Sequence, residues 1–179
     1  MDPHPWFAVT QGHALRFFFE HLRDVLDRER APEPELLYNA SVLAHFASTS
    51  SASTDFPGTP TTLDGVFNLF VLDRSQQADP EIMEAAAGQC LLLTGFFGSQ
   101  LRGRHNVDWY ASLGAGFYSQ AAHLLRDPVR ARMMQTMAIR FAFWRRQQAR
   151  LAKELHDLPM LLRSLPDPDA DAGRNPLVH

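Results

Sequence analysis

The sequence predicts an all-α protein: a single-domain bundle of about six helices over residues 1–164, followed by a disordered tail over 165–179. Three observations carry this. Apolar residues recur every three or four positions along nearly the whole chain, the period of a helix with one buried face. No segment alternates apolar and polar residues between turn signals, so strands have no support. Prolines and clusters of small polar residues fall between the periodic segments, where helix ends are expected.

The first helix is expected from about Thr10 to Arg28, with Leu15, Phe18, Leu22, Val25 and Leu26 on one face and Phe17 and Phe19 widening it. Pro32 and Pro34 open the second, whose Leu36, Ala40, Leu43 and Ala47 share a face. "STSSASTDFPGTPTT", residues 48–62, reads as a low-complexity mobile loop, because its small polar side chains bury little. Thr61 three residues before Asp64 resembles a capping arrangement for a short third helix carrying Leu63, Val66, Phe67 and Phe70.

Two starts are clearer. Asp79-Pro80 and Asp127-Pro128 each place a carboxylate where it accepts from unpaired amides, followed by a proline whose fixed φ suits the first helical position. A fourth helix follows through "EIMEAAAGQCLLLTGFFGSQL", a fifth from about Val107 to Leu125, and a sixth from Pro128 to about His156. Tyr110, Leu113, Phe117, Ala121 and Leu124 align on the fifth. On the sixth, Val129, Met133, Met137, Phe141, Trp144, Leu151, Leu155 and Leu158 do. The tail "PDPDADAGRNPLVH" is acidic and rich in proline, hence its expected disorder.

The 179 residues, 45% hydrophobic, suit one globular domain with a sizeable core. The longest nearly apolar run, Cys90 to Phe97, is far short of the roughly 20 residues that cross a bilayer. The N-terminal "MDPHPWF" lacks a secretory pattern, and the lone Cys90 has no intrachain partner, so a cytoplasmic chain without disulfides is expected. Charge is unevenly spread within a net of −3: residues 1–99 carry −8, residues 100–153 carry +8 and the rest −3. Two readings follow. Either the acidic front and basic back compensate each other when packed, or the back offers a basic surface to an acidic partner or nucleic acid.

The known reaction signatures do not appear. No two of the eight histidines stand four apart and none follows a carboxylate by three, which removes the zinc helix and the di-iron Glu-x-x-His pair. Cys90 lies in "GQCLLL", where burial raises a thiol's pKa, and no G-x-S-x-G is present. Gly114-Ala115-Gly116 lacks the third glycine and preceding strand of a dinucleotide loop; small residues there let a neighbouring helix approach. No catalytic residue, metal site or cofactor is assigned.

Two clusters remain as candidate binding residues. The corner "GSQLRGRHNVDWY" places Arg102, Arg104, His105, Asp108, Trp109 and Tyr110 together between the fourth and fifth helices. The glycines, terminal cations and a cap from Asn106 or Asp108 explain an antiparallel hairpin with Phe96 and Phe97 near Trp109 and Tyr110, and a rim pocket for an anion is the sharper alternative. The second cluster is Arg140, Arg145, Arg146 and Arg150 on the sixth helix, a solvated face or, with its neighbouring aromatics, a nucleic-acid surface.

Around that corner, "AGQCLLLTGFFGSQLRGRHNVDWYASLGAGFY" resembles the central pattern of an uncharacterised family of bacterial all-helical proteins. The pattern has a Gly-Asp on a helix, an apolar run ending Gly-Phe-Phe, a Leu with basic residues, then Val-Asp-Tyr-Tyr, a Gly and an aromatic. Its positions here are Gly88, Gly95, Phe96, Phe97, Leu101, Arg102, Arg104, Val107, Asp108, Trp109, Tyr110, Gly114 and Tyr118, with Gln89 where the pattern has Asp and Trp109 where it has Tyr. The resemblance implies a bacterial source and a helical fold, and no activity. The expected function is therefore non-enzymatic: protein–protein contacts, as a homodimer or with another bacterial protein. The thirteen phenylalanines plus Trp6 exceed what a six-helix core takes up, which leaves an apolar patch. Two alternatives stand beside it. One is a carrier of an apolar or anionic ligand in a pocket lined by Met133, Met134 and Met137; the other is nucleic-acid binding.

Overall fold

A computed structural model describes residues 12–26, 29–52, 76–103 and 105–156. The predicted third helix at 63–70, Trp6, Arg104, Leu158 and the tail at 165–179 lie outside the described residues. The fold is all-α: among the described residues there are seven helices and no strand, only a single backbone bridge between Arg102 and His105. The helices are α1 (Gly12–Leu26), α2 (Glu33–Ala52), α3 (Pro80–Thr94), α4 (Gly98–Leu101), α5 (Val107–Leu124), α6 (Pro128–Ile139) and α7 (Phe141–His156), with a 3₁₀ turn at Gln76–Ala78 before α3. None of the described helices is long and apolar enough to cross a membrane.

The local chemistry works as the sequence suggests at three starts. Asp79 accepts from the Glu81 and Ile82 amides at 2.8 and 3.4 Å, and Asp127 from the Val129 amide at 2.9 Å. Asn106, rather than Asp108, caps α5, accepting from the Trp109 amide at 3.1 Å. Each satisfies a donor that a helix start leaves unpaired.

Two helices form the interior. From Glu35 to Ala44 only Leu37 of α2 is exposed, and every residue from Ala86 to Gly95 on α3 and its end is buried. Neither has a polar stripe, as expected for helices covered all round. Around them, α1 packs along α2, α5 along α3, α6 along α5, and α7 touches α1, α3, α5 and α6. Close approach needs glycine at two points. A Cβ on Gly114 of α5 would stand 2.5 Å from the Cys90 Cβ and 2.7 Å from a Phe141 ring carbon, while one on Gly95 would lie 3.1 Å from the Arg145 carbonyl oxygen. The Gly-Ala-Gly run is thus a packing feature at Gly114; Gly116 faces open space.

Three boundaries differ from the expected ones. The predicted fourth helix is two, because the chain turns at Gly95 to Phe97 where α7 crosses it, and α4 follows. The predicted loop at 48–62 begins later: α2 continues through Ser48 to Ala52, a stretch without proline or glycine to stop it. The predicted sixth helix is also two, broken at Arg140, whose amide still bonds to the Thr136 carbonyl at 2.9 Å and whose own carbonyl accepts from the Trp144 amide at 3.0 Å. No proline or glycine marks this break, and the Arg140 side chain pairs there with Glu35 on α2. The inward line of α6 accordingly runs Arg130, Met134, Met137, with Phe141 continuing it on α7, while Val129, expected inside, is 74% exposed.

Candidate functional site

The described part of the predicted corner turns sharply between two helices. Gly103 takes φ of 99°, a left-handed conformation that favours glycine, so the chain reverses between α4 and α5. Arg102 is exposed, His105 is half-buried with its ring edge-on to Tyr110 at 6.5 Å, and Tyr110 is buried. Trp109 is 45% exposed and stands edge-on to Tyr110 at 4.8 Å. Asp108 takes Arg145 of α7 at 2.8 Å. Arg145 also donates through Nε to the Thr94 carbonyl at 3.1 Å, closing one of the last carbonyls of α3. The corner is thereby stapled to α7.

The predicted basic cluster proves to be divided. Arg140 reaches the buried Glu35 at 3.1 Å and lies over the Phe143 ring at 4.4 Å. Arg145 holds Asp108, and Arg150 holds Glu29 at 3.1 Å together with the Gln147 side-chain oxygen at 3.2 Å. Arg146 is exposed and has no ion-pair partner among the described residues. Three of the four arginines are therefore held by the protein's own carboxylates. Phe141 and Trp144 are buried, so they offer no ring for a base to stack on.

Behind that stripe lies a polar network that periodicity alone conceals. Glu35 accepts from the Trp144 indole at 2.9 Å as well as from Arg140, and Glu84 on α3 accepts from Arg130 at 2.9 Å. The two arginines sit at opposite ends of α6, so this helix is tied at one end to α3 and at the other to α2. Asn39 donates to the Glu35 carbonyl at 2.9 Å, lies 3.5 Å from the Met137 sulfur, and accepts from Gln148 at 3.4 Å. Tyr38 of α2 and Tyr118 of α5 share a hydrogen bond at 3.2 Å beside Glu84. Burial raises both phenols well above their ordinary range, with the Glu84 charge adding to the effect. Burial likewise pushes the Cys90 thiol up to about 12, which keeps it protonated and unreactive near neutrality.

A signal for these residues existed. Glu35, Asn39 and Ser41 interrupt an otherwise apolar helix, and a polar residue inside a helix covered all round must be buried with a partner. Gln147 and Gln148 were hidden inside "RRQQAR", where their neighbours' charge suggested solvent. Met134 and Met137 are in the packed core, and Met133 is half-buried against it.

Open space is found elsewhere. Two shallow recesses of about 420 and 360 Å³ run along α1 and the start of α2, sharing Phe19, Arg23 and Glu33. Their apolar floor is Leu15, Phe19, Leu26, Leu36 and Leu37. Leu37 is exposed, although it sits on the most buried helix. Along the adjoining edge of α1, Arg16, Glu20, Arg23 and Asp24 are all exposed, and none has an ion-pair partner among the described residues. Arg23 lies 6.0 Å over the Phe19 ring.

The chain is thus an all-α protein with interior carboxylate–arginine ties and an outward apolar trough on its α1–α2 side. No known protein family, curated protein or solved structure matches it.

Proposed function

We propose that this protein works by contact with another polypeptide, and that the contact is made along the α1–α2 face rather than by the basic stripe of α7. The observation that carries this reading is the trough floored by Leu15, Phe19 and Leu37 and edged by Arg16, Glu20 and Arg23, which have no ion-pair partner among the described residues. Small-molecule sites enclose most of a ligand's surface, whereas a long open trough leaves one side of its occupant in water, which suits a helix or an extended segment. Apolar residues ringed by charge are also the composition of protein interfaces. Three of the four arginines proposed for nucleic acid, Arg140, Arg145 and Arg150, are neutralised by Glu35, Asp108 and Glu29, which weakens the field a phosphate backbone would meet.

Photo-crosslinking tests the reading. A photoreactive residue at Leu37 or Glu20 yields a polypeptide adduct in the cells that make the protein, while one at Arg146 or Ala149 on α7 does not. Equal adducts from the two faces, or none from α1–α2, would overturn it.

A further inference from the structure

The proposed contact face carries a pattern that identifies its occupant. On α1 the outermost residues are Arg16 and Glu20, one turn apart, and both are exposed and without an ion-pair partner among the described residues. One positive and one negative charge at this spacing make a surface that is complementary to itself, but in a single orientation. Laid parallel in register, Arg16 would oppose Arg16. Laid antiparallel, with a two-fold axis between the two residues, Arg16 of each copy meets Glu20 of the other.

The same axis has a second consequence. A two-fold perpendicular to a pair of antiparallel helices keeps equivalent flanks on the same side of the pair. On α1 the trough residues Leu15 and Phe19 occupy one flank, with Leu37 of α2 beside them. The rotation therefore brings the two troughs edge to edge, and the apolar residues of one copy run on into those of the other. Charge pairing and continuity of the two apolar troughs follow from one operation, as an isologous interface requires.

We infer that the α1–α2 face binds a second copy of this chain, with the two α1 helices antiparallel and Arg16 of each opposite Glu20 of the other. This rests on the reading of that face as a polypeptide contact. It goes further in fixing the partner, the symmetry and the register.

Reciprocal charge reversal tests it on the full-length chain. Sedimentation velocity of the unaltered protein shows a dimer. Arg16→Glu places four acidic groups at the axis and Glu20→Arg four basic ones, so each variant alone dissociates about tenfold or more readily. Mixed together in equal amounts, the two variants regain a dimer, because every opposed pair is again of unlike sign. Both positions are exposed, and circular dichroism melting confirms that each variant is folded. An unaltered protein that stays monomeric, a dimer indifferent to either reversal, or a mixture that fails to recover would overturn the inference. The broader reading fails differently: a monomer whose Leu37 still crosslinks to a different polypeptide removes only the second copy, whereas a monomer with no adduct at Leu37 removes both.

Discussion

The α1 edge and the α7 stripe look alike as strings of charged residues, and they are opposite in what the fold does with them. On α7, Arg145 and Arg150 hold Asp108 and Glu29, and Arg140 at the α6–α7 break holds the buried Glu35. On α1, Arg16, Glu20 and Asp24 reach no ion-pair partner among the described residues. The stripe with the stronger charge in sequence is the one turned to internal use, and the balanced one is left facing outward. A run of like charge therefore says little about a site until its counter-charges are placed. Here they come from residues 29, 35, 84 and 108, three of them in the acidic front of the chain.

The sharpest way to break the comparison is to remove one acid from each region. Glu35→Ala strands the Arg140 guanidinium and the Trp144 indole in the interior and costs about 3–5 kcal/mol, as breaking a buried pair does. Asp24→Ala on the α1 edge stays within about 0.5 kcal/mol, the usual range of surface substitutions. Urea denaturation of the two variants separates these outcomes, and equal losses would show that the interior tie is not made.

Alkaline titration probes the inner network from its other end. Because burial raises the Tyr38 and Tyr118 phenols, the folded chain keeps protons that the unfolded chain begins to release near pH 10. Their contribution to stability is thus intact below about pH 10 and declines above it, by at most about 1.4 kcal/mol per pH unit for each phenol. Tyr118→Phe is expected to flatten the stability profile above pH 10 by one residue's share. An unchanged slope would place that phenol in water.

The smallest effect belongs to the rim of α7. A double-mutant cycle on Arg150 and Glu29, both about half-exposed, is expected to give a coupling of about 0.2–1 kcal/mol that weakens with salt. A coupling as large as that at Glu35 would mean that the surface and interior ends of the stripe are not distinct.

Much of this fold was legible in the sequence, and the reasons for the failures are specific. The Asp-Pro starts of α3 and α6 and the apolar face of α1 follow from local chemistry, and all three form. The uneven charge pointed to compensation between front and back, which three of the four ion pairs among the described residues supply. The break at Arg140 was invisible because no proline or glycine marks it, and the Arg140 side chain pairs there with a carboxylate 105 residues away. The inward line of α6 was misread by one position because its first member is Arg130, a residue that no apolar pattern admits. The α1–α2 trough was missed for a related reason: periodicity counted Leu15 and Phe19 as core, and only the packing of α2 shows how much of them stays uncovered.

The most direct test of the contrast is the rate at which each arginine reacts with phenylglyoxal in the folded protein, read residue by residue by mass spectrometry. Ion-paired, half-covered side chains should react slowly and free exposed ones quickly. The account predicts that Arg23 and Arg146 are modified well before Arg130, Arg140 and Arg145. Rapid modification of Arg140 and Arg145, together with protection of Arg146, would contradict it.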